Sequence, residues 1–160
     1  MKLPITLAAG AVVLSIISSQ SPVLDAPELK KTIEGMGFTV KTLNEEKGKE
    51  KYEFTIKRSD FDIPVAAEIS SSKNYVWFTV FLGEASKEAE KHGPLLKENF
   101  KIQPNFFYIT EKGNLMMGIA VDNRGITPAI VKRITDKLSN DVADTSKLWQ
   151  SGASPSFRGK

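Results

Sequence analysis

The sequence predicts a layered α+β domain, an antiparallel meander sheet of about five to six strands with three helices in the order α-β-β-β(-β)-α-β-β-α. Three observations predict it. Residues 75–82, YVWFTVFL, are apolar on both sides of a strand, with Tyr75, Trp77, Thr79 and Phe81 on one face and Val76, Phe78, Val80 and Leu82 on the other. Eight residues are too few to span a bilayer and a solvated edge would show a polar face, so a central strand covered above and below is expected. Around it, residues 52–57 and 61–69 alternate with period two, whereas residues 127–138 repeat at helical spacing.

Composition narrows the function classes. The 160 residues include no cysteine and one histidine, and the net charge of +3 comes from Lys and Arg interspersed with Asp and Glu. A nucleic-acid binder concentrates its basic residues on one face or in one run, so no nucleic-acid partner is expected. Without Cys there are no disulfides, thiolate metal sites, cysteine nucleophiles or lipidated export junction, and packing must supply the stability.

Residues 1–20 read as a signal peptide. Lys2 gives a basic start, residues 3–17 form an apolar run, and residues 18–21 are small and polar. The run contains Pro4, Thr6, Gly10 and Ser15 and is short for a spanning helix, which favours cleavage over a retained N-terminal anchor. Either outcome predicts an exported domain, periplasmic or extracellular, with a membrane contact only if the leader stays attached. About 140 residues remain, enough for one domain with a real core, and it is assigned to residues 25–149.

The first helix starts at Asp25, whose side chain can cap it, with Pro27 in the first turn and Glu28 placed for a capping box. Leu29, Ile33 and Met36 form its apolar stripe, and Gly35 and Gly37 end it. A strand beginning at Phe38 and Val40 and another carrying Tyr52, Phe54 and Ile56 make a hairpin around the charged turn containing Gly48. Phe61, Ile63, Val65, Ala67 and Ile69 form the next strand, where Pro64 suggests an edge or an irregular start. After the central strand, residues 86–100 turn helical with a break at Gly93 and Pro94. Residues 105–110 and 114–121 form a second hairpin around Glu111, Lys112 and Gly113. Thr127 caps the last helix, Pro128 opens it, and Ile130, Ile134 and Leu138 give its buried stripe, with a bent continuation to Leu148 and Trp149. Residues 150–160 are rich in Ser, Gly and basic residues and read as a disordered tail.

The succession YVWFTVFLG (75–83), LLKENFKI (95–102), FFYITEKGNLMMGIAV (106–121) and ITPAIVKRITDKL (126–138) resembles the type III secretion chaperone-like fold, and in particular the YbjN family of small sensory-transduction-regulator-like proteins. The resemblance covers residues 25–149. It implies a binding or assembly domain, often dimeric, with no catalytic residues to carry over. The leader departs from this pattern, because cytosolic chaperones of secretion substrates need no export signal.

No catalytic constellation stands out. His92 is the lone histidine, without the partner that acid–base work needs or the three or four ligands that zinc needs. Asp60 and Asp62 supply too few oxygens for calcium, and residues 122–125 (Asp-Asn-Arg-Gly) read first as turn chemistry. Gly-x-Ser-x-Gly, phosphate-loop and Gly-x-Gly-x-x-Gly motifs do not occur. The expected function is that of an exported, non-enzymatic protein-binding or chaperone/scaffold-like domain, without a cofactor, its partner a protein or a second copy of itself. The candidate partner surface is Tyr75, Trp77, Phe81, Leu95, Leu96 and Phe100. The alternative is a periplasmic small-ligand-binding or weakly hydrolytic domain in which His92, the Asp60/Asp62 pair or Asp122 to Arg124 converge on one pocket.

Overall fold

The computed structural model describes residues 22–58 and 61–153. The leader, Ser59, Asp60 and residues 154–160 lie outside the described residues. Among the described residues, four α-helices and six strands follow one another as α1 (Ala26–Gly35), β1 (Lys41–Asn44), β2 (Lys51–Arg58), β3 (Phe61–Ile69), β4 (Tyr75–Glu84), α2 (His92–Glu98), β5 (Phe106–Ile109), β6 (Asn114–Asp122), α3 (Pro128–Asp144) and α4 (Ser146–Gly152). The strands form one antiparallel sheet in the order β1-β2-β3-β4-β6-β5.

Local chemistry sets the element ends where the sequence places them. Glu28 N–H donates to Asp25 Oδ1 at 2.9 Å and Asp25 N–H to Glu28 Oε2 at 3.1 Å, a complete capping box. Ile130 N–H donates to Thr127 Oγ1 at 3.3 Å, and Pro128 spends no donor in the first turn of α3.

The core lies on one side of the sheet only. Tyr52, Phe54 and Ile56 of β2, Ile63, Val65 and Ala67 of β3, and Val76, Phe78, Val80 and Leu82 of β4 are buried with Leu29 and Ile33 of α1 and with Val131, Leu138 and Val142 of α3. The expected second layer over β4 is absent among the described residues: Tyr75 is 48% and Phe81 41% exposed. Thr79 is nevertheless 5% exposed. It lies in register between Ala66 and Gly118, in the middle of the sheet.

β3 as a whole is not an edge strand, since it is hydrogen-bonded between β2 and β4. The β3–β4 register starts at Ala66↔Thr79, however, so residues 61–65 pair with β2 alone and Pro64 does sit on a local edge at the irregular start of the strand. Two further expectations are corrected. The helical stretch before residue 100 is not broken at Gly93 and Pro94; both lie in the first turn of α2, preceded by a 3-10 turn at Ala89–Lys91.

At the C-terminus the long last helix stops at Asp144. Thr145 Oγ1 donates back to Asp141 O at 2.6 Å, and α4 turns so that the Trp149 indole N–H donates to Val142 O at 2.8 Å. Trp149 is 6% exposed and meets the Phe61 ring edge-on at 6.4 Å. Residues 150–152 therefore belong to the folded domain, which continues to Ala153, paired with Ala85.

Candidate interaction surface

Small residues on β6 allow the aromatic residues of β4 and β5 to meet over it. The register runs Glu53↔Ala66↔Thr79↔Gly118↔Phe106 across five strands, and Lys51↔Glu68↔Trp77↔Ala120 beside it. With only Gly118 and Ala120 between them, Trp77 and Phe106 pack edge-on, ring centroids 6.1 Å apart and planes 82° apart. Tyr108 joins this group 5.6 Å from Phe106. A Cβ on Gly118 would lie 3.2 Å from Tyr108 Cε1 and 3.3 Å from Thr79 Cγ2, so the glycine is the seat on which these two side chains close. Burial, and then the Glu68 charge, pushes the Tyr108 phenol up.

The result is an aromatic field, Tyr75, Trp77, Phe81, Phe106 and Tyr108 with Met116, on the face opposite the helices. Its flank toward β1 is charged but neutralised locally, with Lys51 3.4 Å from Glu68 and Lys41 4.0 Å from Glu53. Apolar centre and polar rim together are the anatomy of a protein-binding patch.

The candidate residues divide between two places. Tyr75, Trp77 and Phe81 lie in this field. Leu96 and Phe100 are 66% and 83% exposed at α2 and just beyond its end. Leu95 is corrected: it is 2% exposed and packs against Gly152 of α4, where a Cβ would sit 2.6 Å from its Cδ1. Phe106, Tyr108 and Met116 were missed, because alternation along one strand does not reveal which neighbour it meets across the sheet.

The polar candidates do not gather. His92 Nε2 is 2.9 Å from Ser86 O, Asp62 is 4.0 Å from Lys57 Nζ, and Asp122 is bound by Arg124. Asp60 lies outside the described residues. A cleft of about 400 Å³ between α1 and the β1–β2 hairpin is lined by Lys30, Lys31, Glu34, Glu45, Glu50 and Tyr52 among others, and by none of those candidates. Arg124 donates from its side chain and from its backbone N–H to Asp122, holding that carboxyl down at about 2. Beside this turn, fully buried Asn123 donates from Nδ2 to Leu24 O and Lys73 O, both at 2.9 Å, tying the start of the domain to the β3–β4 connection. This corner is a structural clasp. Among the described residues, no group of three or more His, Cys, Asp and Glu is placed to hold a metal ion.

No family model and no curated protein matches this chain. Among solved structures, it is similar to a chain in the structure of the heterodimeric complex ExoU-SpcU from the type III secretion system of Pseudomonas aeruginosa. That match has a TM-score of 0.53 and 15% identity, and covers 74% of this chain and 94% of that one. At this identity the likeness concerns the fold alone, an α+β chain with the antiparallel sheet described above.

Proposed function

We propose that this chain is an exported, non-enzymatic, chaperone- or scaffold-like domain that holds a protein partner on the open aromatic face of its sheet. The observation that carries the reading is the field of Tyr75, Trp77, Phe81, Phe106 and Tyr108, which the described helices leave uncovered. Large aromatic side chains surrounded by a neutral polar rim supply most of the binding energy at protein interfaces. The similar fold occurs in a protein that the solved structure records within a heterodimeric complex. Export rests on the leader, and the YbjN-family assignment rests on the order and polarity of residues 25–149.

The partner is a different protein or a second copy. Light scattering on the full chain separates the two, and capture of partners by the parent is compared with capture by Trp77→Glu and Phe81→Lys. A charge placed in the centre of the patch reduces binding by roughly 30-fold or more, the scale of a hot-spot loss. Retention of the same partners at the same affinity by both variants rules out the face as the binding surface.

A further inference from the structure

The sheet has two edges, β1 and β5, and an exposed edge invites another chain to add a strand. The β1 edge is four residues long, starts at Lys41 and is bulged between Thr42 and Asn44, which spoils it as a template. The β5 edge is equally short but has neither the charge nor the bulge: it is the regular segment FFYI, and Ile109 on it is 42% exposed.

In an antiparallel ladder both backbone groups of a residue point the same way, alternating along the strand. Thr110 N–H donates inward to Asn114 O at 2.9 Å, so Phe107 and Ile109 present theirs outward. At Phe107 this outward pair is already taken. Phe107 N–H donates to Asn99 Oδ1 at 2.7 Å, and Asn99 Nδ2 donates to Phe107 O at 3.2 Å. The Asn99 amide thus makes, from the end of α2, the two hydrogen bonds that a seventh strand would make.

We infer that Asn99 is a latch that closes the β5 edge against pairing with a second copy of this chain. It holds the C-terminal end of α2 over the edge by a pair of bonds that only a primary amide of this length supplies, accepting and donating at once. Ala at this position supplies neither bond, and Asp accepts from Phe107 N–H but leaves Phe107 O without a donor. Release frees the outward groups of Phe107 to join those of Ile109, a two-residue repeat on which an antiparallel copy can start a ladder. The inference is independent of what occupies the open face.

The test compares the full parent chain with Asn99→Ala, Asn99→Asp, Asn99→Ala/Ile109→Pro and Asn99→Ala/Phe81→Lys, by amide hydrogen exchange and sedimentation velocity. Exchange at β4 and β6 amides reports that each variant is folded. In dilute Asn99→Ala, the Phe107 amide exchanges about tenfold faster or more than in the parent. At higher concentration that variant self-associates at least tenfold more strongly than the parent. Ile109→Pro removes the second outward donor and reverses the association, while Phe81→Lys leaves it in place. Asn99→Asp keeps Phe107 N–H protected yet associates more than the parent, which maintains the test if the alanine variant unfolds. Parent-like exchange and association in Asn99→Ala overturn the inference, as does association that Phe81→Lys abolishes and Ile109→Pro does not.

Discussion

Two phenylalanines three residues apart on β4 give the one-sided core a quantitative test. Phe78 is fully buried on the helix face and Phe81 is 41% exposed on the open face. Replacing Phe78 by Ala removes its transfer free energy and leaves a cavity between sheet and helices, a loss of about 3–5 kcal/mol. Full burial of a Phe side chain contributes about 1.5–3 kcal/mol; with two-fifths of that surface still wet and no enclosed cavity created, Phe81→Ala loses about 1–2 kcal/mol. Urea titrations read the difference directly as a shift in midpoint at constant slope. In thermal melts the gap of about 1–4 kcal/mol corresponds to a Tm difference of at least about 2–4 °C. Both are run at low protein concentration, where an occupied face would not contribute. Equal losses at the two positions would refute the reasoning, because they would mean that the supposedly open side is packed as tightly as the core.

Three other perturbations test the supporting structure. Asn123→Ala strands the Leu24 and Lys73 carbonyls and costs about 2–4 kcal/mol; faster amide exchange at Leu24 to Glu28 and in the β3–β4 turn locates the damage. Gly118→Ala forces a methyl to within 3.2 Å of Tyr108 Cε1 and 3.3 Å of Thr79 Cγ2, so it destabilises by about 1–3 kcal/mol and displaces the Tyr108 ring, visible in its aromatic NMR shifts. Acidification tests the carboxylates. Asp122 is held down at about 2 by Arg124; at Asp136 burial acts upward, but hydrogen bonds from Lys132 and Arg58 outweigh it and lower the pKa. Depressed carboxylates contribute stability that is present above about pH 4 and is lost as the pH falls toward 2. NMR titration of Arg124→Ala shows the Asp122 carboxyl returning toward the ordinary 3.8, whereas Asp136 stays where it was.

Much of the fold was legible because its signals are local. Asp25 with Glu28, and Thr127 with Pro128, announce helix starts through bonds made within four residues. The turns around Gly48 and Gly113 need positive φ, which glycine adopts without strain. What stayed hidden is decided across the sheet. Tyr75, Trp77 and Phe81 have the composition of a core face, and nothing in residues 75–82 reveals that none of the described helices covers it. Leu95 and Leu96 are neighbours on a helix of seven residues, so one step of phase decides which is buried, and the packing partner that decides it, Gly152, is 57 positions away in a segment expected to be disordered. Asn99 reads as an ordinary polar residue at a helix end until β5 is placed beside it.

The most direct test of the binding account is hydroxyl-radical footprinting of the full chain, free and with its captured partner. The account predicts that Tyr75, Trp77, Phe81, Tyr108 and Met116 are oxidised in the free, dilute protein and protected together in the complex, while Phe100 at the far end of α2 keeps its labelling. Protection confined to α2, or a complex in which the sheet residues stay fully labelled, would contradict it.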